Sequence, residues 1–142
     1  MIVKIKKREF ENLRHSKNHV VFITKKEYKL PKDCKFINIG IVLAEKLQIC
    51  PVAQRLECFQ ETLRDLVNCS LTDIVLTHLD ILFDPQWQIE DVLRELQLIS
   101  RNHRLYVLWP GNITEDRLTY AELGCQDYQS FMFKDYEDTF IV

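Results

Sequence analysis

The sequence predicts a single α/β domain whose mostly parallel central sheet is covered by helices on both faces. Short runs of β-branched and apolar residues alternate with segments of helical periodicity, which indicates buried strands separated by helices. Such strands pair in parallel and bury both faces of their sheet. The 142 residues, with 46% apolar and 28% charged residues, are enough for one ordinary core. We therefore expect a three-layer α/β sandwich over residues 1–142.

The N-terminal half is predicted to begin with a basic helix that carries a sparse apolar stripe of Ile5, Phe10 and Leu13. Two buried strands follow, and the loop between them is polar, rich in lysine and interrupted by Pro31. Two helices come next. We divide the domain into this basic helix, residues 1–18, and a core, residues 19–142. The predicted bounds are helices over 4–17, 41–49 and 52–68 and strands over 19–24 and 35–39.

The C-terminal half is predicted to contain two more buried strands with an amphipathic helix between them. Asp84-Pro85 breaks the chain before this helix, and Glu90 and Asp91 lie in its first turn, where the helix dipole favours acids. Trp109-Pro110-Gly111 closes the last buried strand as a turn. Short segments at the C-terminus are expected to add antiparallel edge strands or a small hairpin. The predicted bounds are strands over 73–77, 104–108, 118–121, 129–133 and 139–142 and a helix over 89–100.

Charge is distributed unevenly along the chain. Residues 1–35 contain eleven Lys and Arg against four acids, and residues 36–142 contain eight against seventeen. One interpretation is a basic segment that binds nucleic acid, and the other is a segment that neutralises the acidic remainder of the protein. We favour neutralisation because the basic segment has few aromatics to stack on bases. The candidate nucleic-acid contacts are Lys4, Lys6, Lys7, Arg8, Lys25, Lys26, Lys29 and Lys32.

The five cysteines occur in an odd number, at wide spacings and without a Cys-x-x-Cys pair. We expect reduced structural thiols, no metal site and a cytoplasmic location. No apolar run approaches the length of a membrane span, and the basic N-terminus is not followed by the apolar segment of a signal peptide. We therefore expect no membrane partner.

The first predicted strand occupies the place of the strand before a phosphate-binding loop. That loop needs glycines for close approach of backbone amides, a lysine for the phosphates and a hydroxyl for magnesium. Residues 24–32 follow the strand without a glycine, and the interval to the next strand is too short for a loop and a full helix. Thr77 and His78 end the third strand, where an acid would position magnesium. The sequence thus excludes a standard phosphate cradle.

Four residues are candidates for a rim or interface site: His78, Asp80, Arg101 and Trp109. His78 follows one strand and His103 precedes the next, so one interpretation is that the two converge at the carboxyl-end rim, and the interpretation we favour is a surface or capping role for each. Asp80 is either a displaced acid or a solvent-facing residue. Arg101 is the one candidate nucleotide contact, and its alternative role is to stabilise a helix C-terminus. Trp109 is either a packed turn residue or part of a binding surface. No catalytic constellation is predicted.

Several segments, in this order and spacing, resemble the BrxF-like proteins of bacteriophage-exclusion (BREX) defence systems. Those are small P-loop-type proteins encoded beside a large ATPase, a DNA methyltransferase and a phosphatase-like protein. The resemblance covers residues 19–142, and the chain departs from it at the glycine-rich loop, replaced by residues 24–32, and at Thr77. The segments are Asn38–Gly40, Leu43–Leu47, Pro51, Arg55, Asp73–Leu76, Ile81–Pro85, Ser100–Asn102, Trp109–Gly111 and Leu118–Glu122.

The resemblance implies a degenerate P-loop-like fold and a role in antiviral defence. We expect a non-catalytic accessory or scaffold subunit without a cofactor, whose partners are other defence-system proteins or further copies of the chain. One alternative is a nucleic-acid-binding module that places its lysines on DNA phosphates. The other is a residual nucleotide-binding protein. A fold does not by itself specify an activity, so these alternatives are separated by the site.

Overall fold

Two sheets and four α-helices make up the computed structural model, which describes all 142 residues. The helices are α1 (Lys7–Ser16), α2 (Ile39–Ile49), α3 (Arg55–Asn68) and α4 (Val92–Ile99). Short 3-10 helices occupy several of the connections. The strands are β1 (Val3–Lys4), β2 (Val20–Thr24), β3 (Lys35–Asn38), β4 (Ile74–Thr77), β5 (Arg104–Leu108), β6 (Asn112–Ile113), β7 (Arg117–Tyr120), β8 (Gln129–Met132) and β9 (Thr139–Ile141).

The main sheet has six strands in the order β1-β9-β2-β5-β4-β3, and every neighbouring pair is parallel. A second, antiparallel sheet contains β6, β7 and β8 in that order. The predicted α/β class and the mostly parallel sheet are therefore confirmed. The predicted small antiparallel addition is also present, as the β7–β8 pair with β6 beside it.

Alternate residues of the strands pack against opposite faces of the main sheet, as the two-residue period of a strand requires. One face carries Val21, Ile23, Leu105 and Val107 and is covered by α2, α3 and α4. The other carries Phe22 and Tyr106 and is covered by α1 and residues 25–34. This arrangement is compatible with a three-layer sandwich, in which the layer over the second face is the thinner one.

The basic N-terminal segment belongs to this core. β1 pairs with β9, and Phe10 of α1 is buried with its ring centroid 4.9 Å from that of Phe22. Phe22 also stacks on Tyr106 at 5.3 Å. The sparse apolar stripe is thus sufficient to dock the helix, because Phe10 packs edge-on against two large aromatic rings, Phe22 and Tyr106.

Two helices begin where the local sequence supplies a cap. The Asn38 side chain accepts a hydrogen bond from the amide of Ile41 at 3.2 Å, and the Asp91 side chain accepts one from the amide of Arg94 at 2.9 Å. Both satisfy amides that the helix itself leaves unpaired. The longest helix, α3, has 14 residues, and no helix combines the length and apolar character that a bilayer span needs.

Four details of the predicted element map are wrong. The predicted helix over 52–68 begins at Arg55, because Val52–Gln54 form a 3-10 turn. The first predicted helix begins at Lys7, because Val3 and Lys4 form β1. The predicted helix over 89–100 is shortened to Val92–Ile99. The last strand, β9, lies between β1 and β2 in the main sheet and is parallel to both, so it is neither an antiparallel edge nor half of a hairpin. A strand of three residues carries no local signal for its direction, which is set by where the chain enters the sheet.

Candidate functional site

The carboxyl ends of six parallel strands meet at one edge of the main sheet, where open α/β sheets bind ligands. The pairing places Thr24 of β2 beside Leu108 of β5, and Thr77 of β4 beside Asn38 of β3. The next residues along these strands, which include Lys25, Trp109 and His78, therefore begin the loops of this carboxyl-end rim.

The loop that follows β2 closes on itself. The Thr24 hydroxyl accepts a hydrogen bond from the Lys26 amide at 3.2 Å and donates one to the Lys26 carbonyl at 3.1 Å. A single 3-10 turn, Glu27–Lys29, comes next, and the chain then crosses to β3 at the far edge of the sheet. In a phosphate loop, by contrast, free backbone amides point toward the phosphates, and the loop leads into the N-terminus of an α-helix. The local geometry here is that of a compact polar turn.

His78 directly follows β4 and has a left-handed backbone, φ 59°, which is unusual for a residue other than glycine. The Thr77 hydroxyl donates to the Ile37 carbonyl at 3.2 Å, so the His78 Nδ1, at 2.9 Å, acts as donor to that hydroxyl. The other ring nitrogen lies on an exposed side chain. Gly40 packs beside this turn, since a Cβ there would lie 3.2 Å from the His78 carbonyl oxygen. His78 is therefore a positioned, solvent-facing rim residue.

Asp80 is tied to the small antiparallel sheet. Its carboxylate accepts a hydrogen bond from the Tyr120 hydroxyl at 2.9 Å, and the Tyr120 ring stacks on Phe83 at 3.9 Å. Burial and the Asp80 carboxylate raise the pKa of Tyr120. Asp80 also lines an open acidic cleft with Asp84 and Asp127. No group of three or more His, Cys, Asp or Glu side chains is arranged to hold a metal ion. Asp80 thus links the rim to the second sheet.

Trp109 lies inside the core, although it directly follows β5. Its side chain is 2% exposed, and its indole Nε1–H donates to the Thr119 carbonyl at 3.1 Å. Phe83 and Phe131 pack edge-on against the ring with centroids 5.9 and 5.6 Å away. Trp109 is therefore a packed turn residue and offers no surface at the rim.

Arg101 and His103 lie at the other end of the sheet. Both precede β5, Arg101 in the 3-10 turn Ser100–Asn102, and the His103 Nε2 contacts Asn68 at 3.1 Å. The structure excludes the interpretation in which His78 and His103 converge, because residues before a parallel strand lie at its amino end. Arg101 is likewise separated from the rim and instead lines an open polar cleft of about 440 Å³ with His19 and Glu137.

The predicted basic residues are all exposed. They fall into two groups, one in residues 4–8 at and just before the start of α1, and one in residues 25–32 after β2. Lys7 and Lys29 line one groove of about 350 Å³ between α1 and the 25–34 segment. Lys32 lines a neighbouring groove of about 480 Å³. Lys26 lies over the Tyr28 ring, 5.7 Å from its centroid. Lys4, Lys6, Arg8 and Lys25 line neither of these two grooves.

Sequence reasoning missed two surfaces and one polar network. Tyr28 is 72% exposed beside the lysines, and α2 exposes Ile41 and Ile49. The only local signal for the second surface is that α2 has apolar residues on all sides and just two charged ones. At the amino end of the sheet, the Arg104 Nε donates to Asp73 at 2.9 Å, and the Arg104 guanidinium also bonds the Arg14 carbonyl.

Cys34 is expected to be the slowest cysteine to alkylate. Burial, and then the Asp33 and Asp73 carboxylates, raise the pKa of its thiol to about 11. The thiolate is the reactive species, and a thiol with this pKa is about 0.1% ionised at pH 8. Timed alkylation at pH 8 with mass spectrometry should label the exposed Cys69 and Cys125 first.

The labelling order is expected to depend on the fold. In urea all five cysteines should react at similar rates, because unfolding removes the burial that raises the Cys34 pKa. The raised pKa also means that the folded state holds this proton more tightly than the unfolded state. The contribution of the protonated Cys34 thiol to the free energy of unfolding is full below about pH 9 and is lost as the pH rises toward 11. Equal labelling rates in the native protein would contradict the buried position of Cys34.

Comparison of the chain with family models, with curated proteins and with solved structures found no match.

Proposed function

We propose that the protein is a non-catalytic accessory or scaffold subunit that acts by binding other proteins, in a BREX-type phage-defence system as the sequence resemblance implies. The observation that carries the proposal is the exposed apolar face of α2. Ile41, Ile49 and Val52, the last just beyond the helix, are 59%, 75% and 58% exposed. A surface helix normally presents charged and polar residues to water.

The exposed apolar residues of α2 lie at its two ends. Ile41 and Ile49 are eight residues apart on one side of the helix, with the exposed Glu45 one turn from each. Leu56, at the start of α3, adds a 37% exposed side chain along the same stretch of chain. Clustered exposed apolar residues mark sites of protein association, whereas isolated ones do not. A partner that covers this face removes apolar area from water, which is favourable.

The rim geometry supports a non-catalytic role over residual nucleotide binding. The loop after β2 uses its Thr24 hydroxyl to satisfy the Lys26 backbone, and no α-helix follows it. His78 has Thr77 as its hydrogen-bond partner, and the Asp80 carboxylate is engaged with Tyr120. These side chains are used within the fold, and residues 24–32 beside them contain no glycine and so lack the phosphate loop that nucleotide binding needs.

Substitution of Ile49 by glutamate is expected to disrupt partner binding. The change places a charge at the most exposed of these apolar side chains, at the C-terminal end of α2, and we expect at least a tenfold weaker complex. The test is affinity purification of the tagged protein co-expressed with the proteins encoded beside it in a BREX-type locus. Binding of each recovered partner is then measured by isothermal titration.

A matched control separates this effect from general loss of solubility or fold. Leu71 is fully exposed in the loop between α3 and β4, so Leu71→Glu adds the same charge at an exposed apolar residue outside α2. We expect this variant to bind like the wild type, and both variants to unfold at the wild-type temperature. The proposal fails if the wild type recovers none of the neighbouring proteins, or if Ile49→Glu binds them with unchanged affinity.

A further inference from the structure

Tyr28 is held in an exposed position by a fixed turn. Its side chain is 72% exposed on the 3-10 turn Glu27–Lys29. The turn is closed by hydrogen bonds from the Lys29 amide to the Lys26 carbonyl, 3.2 Å, and from the Leu30 amide to the Glu27 carbonyl, 3.0 Å. Leu30 is buried directly after the turn and anchors it to the sheet. The ring is therefore presented to solvent on an ordered backbone.

Two grooves on the surface share this ring. The first, of about 350 Å³, lies between α1 and the turn and has Phe10 and Val142 in its lining. The second, of about 480 Å³, lies toward β3 and has Phe36, which is 38% exposed, in its lining. Tyr28 borders both grooves. A ligand in either groove therefore contacts this one aromatic side chain.

The lysines around Tyr28 are available to bind anions. Lys7 and Lys29 line the first groove, Lys32 lines the second, and the Lys26 ammonium lies 5.7 Å from the Tyr28 centroid. None of these four side chains forms an ion pair with a carboxylate.

Two acids line these grooves. Glu11 lies 3.8 Å from the Arg14 guanidinium, which offsets part of its charge. Glu27 is the second acid. The surface around the ring therefore has a net positive charge.

We propose that Tyr28 and its lysines form a binding site for single-stranded nucleic acid. Successive bases occupy the two grooves, with one stacked on Tyr28, and the lysines contact the phosphates. Unpaired bases have the accessible flat faces that such stacking needs, whereas a duplex keeps its bases stacked on each other. An acidic peptide complements the lysines but makes no specific use of an exposed ring between two grooves.

This site is independent of the proposed scaffold function. The 25–34 segment and α1 cover one face of the main sheet, whereas α2 packs against the other. A variant at Ile49 therefore tests one surface without altering the second.

The test is fluorescence anisotropy with a labelled single-stranded oligothymidylate of about 12 nucleotides, within the range of one binding module. We expect binding at low salt that weakens steeply as salt is added. With three or four lysine–phosphate contacts, the logarithm of affinity should fall with a slope of about −2 to −3 against the logarithm of salt. Duplex DNA of equal length should bind more weakly.

Two kinds of variant assign the roles of ring and lysines. Tyr28→Ala should weaken binding about 5- to 100-fold and leave the salt slope unchanged, because it removes stacking alone. Tyr28→Phe keeps the ring and should bind like the wild type. Lys29→Gln and Lys32→Gln should each weaken binding and reduce the slope by about 0.7. Since all three residues are exposed, the variants should unfold at the wild-type temperature.

Four results would overturn the proposal. They are absence of binding at about 50 mM salt, where such contacts are strong, unchanged affinity in Tyr28→Ala, duplex binding as tight as single-strand binding, and displacement of the oligonucleotide by equimolar poly-glutamate. The last would identify a surface for acidic peptides. Ile49→Glu should bind the oligonucleotide normally, so failure of this site and failure of the scaffold function are distinguishable.

Discussion

Substitution of Trp109 by alanine is expected to lower the free energy of unfolding by about 3–5 kcal/mol. The indole is 2% exposed and packs against Phe83 and Phe131, so truncation leaves a large cavity between the main sheet and the antiparallel sheet. It also removes the hydrogen bond to the Thr119 carbonyl. Because a domain of this size is stable by only about 5–15 kcal/mol, the loss is a large share of the total. Urea denaturation followed by circular dichroism measures it.

The Trp109→Phe variant separates packing from hydrogen bonding. Phenylalanine retains an aromatic ring against Phe83 and Phe131 but cannot donate to Thr119. We expect a smaller loss of about 1–3 kcal/mol, from the lost indole hydrogen bond together with a smaller cavity. If Trp109→Ala unfolded within 1 kcal/mol of the wild type, Trp109 would be a surface residue and its candidacy as a binding residue at the rim would revive.

The sequence predicted the buried parallel strands well, because their composition alone determines them. β2 and β5 lie within a residue of the predicted 19–24 and 104–108. Short runs of β-branched and apolar residues are typical of buried strands in an α/β domain. β1 was missed because its two residues, Val3 and Lys4, carry no pattern, and their pairing depends on β9 at the other end of the chain.

The candidate site was harder to predict, because it depends on exposure and on which end of the sheet a residue occupies. From the sequence, Trp109 is either a packed turn residue or part of a binding surface, and its burial by the antiparallel sheet decides for the packed turn. His103 precedes its strand, and this alone places it at the amino end, away from His78. The exposure of Tyr28 could not be predicted, because no sequence pattern indicates whether a single aromatic residue in a lysine-rich loop packs inward or faces water.

Substitution of Gly111 by alanine is expected to destabilise the antiparallel sheet and cost about 3 kcal/mol or more. A Cβ at this position would overlap the Thr119 carbonyl oxygen and lie 2.8 Å from its carbon. Thr119 pairs with Asn112, the first residue of β6, so the chain cannot relieve the overlap without separating β6 from β7. Thermal and urea denaturation should show the loss directly.

Gly124 provides the matched control for this substitution. It has a left-handed backbone, φ 97°, but a Cβ there would meet nothing within 4 Å. Gly124→Ala should therefore lower the free energy of unfolding only through backbone strain, by about 1–2 kcal/mol. We expect the cost at Gly111 to exceed that at Gly124, because overlap with main-chain atoms is harder to relieve than a strained dihedral angle. Equal costs at the two glycines would contradict the close approach of Gly111 to β7.

The effects at Gly111 and Trp109 should not add. A Cβ at position 111 would lie 3.0 Å from the Trp109 Nε1, and both residues meet at the Thr119 carbonyl. Separation of β6 from β7 in Gly111→Ala already disturbs the hydrogen bond that Trp109→Ala removes. The double variant should therefore lose less stability than the two single losses combined, by about 0.5–3 kcal/mol, as expected for residues that share a partner. Strict additivity in a double-mutant cycle would show that the turn and the indole stabilise the second sheet independently.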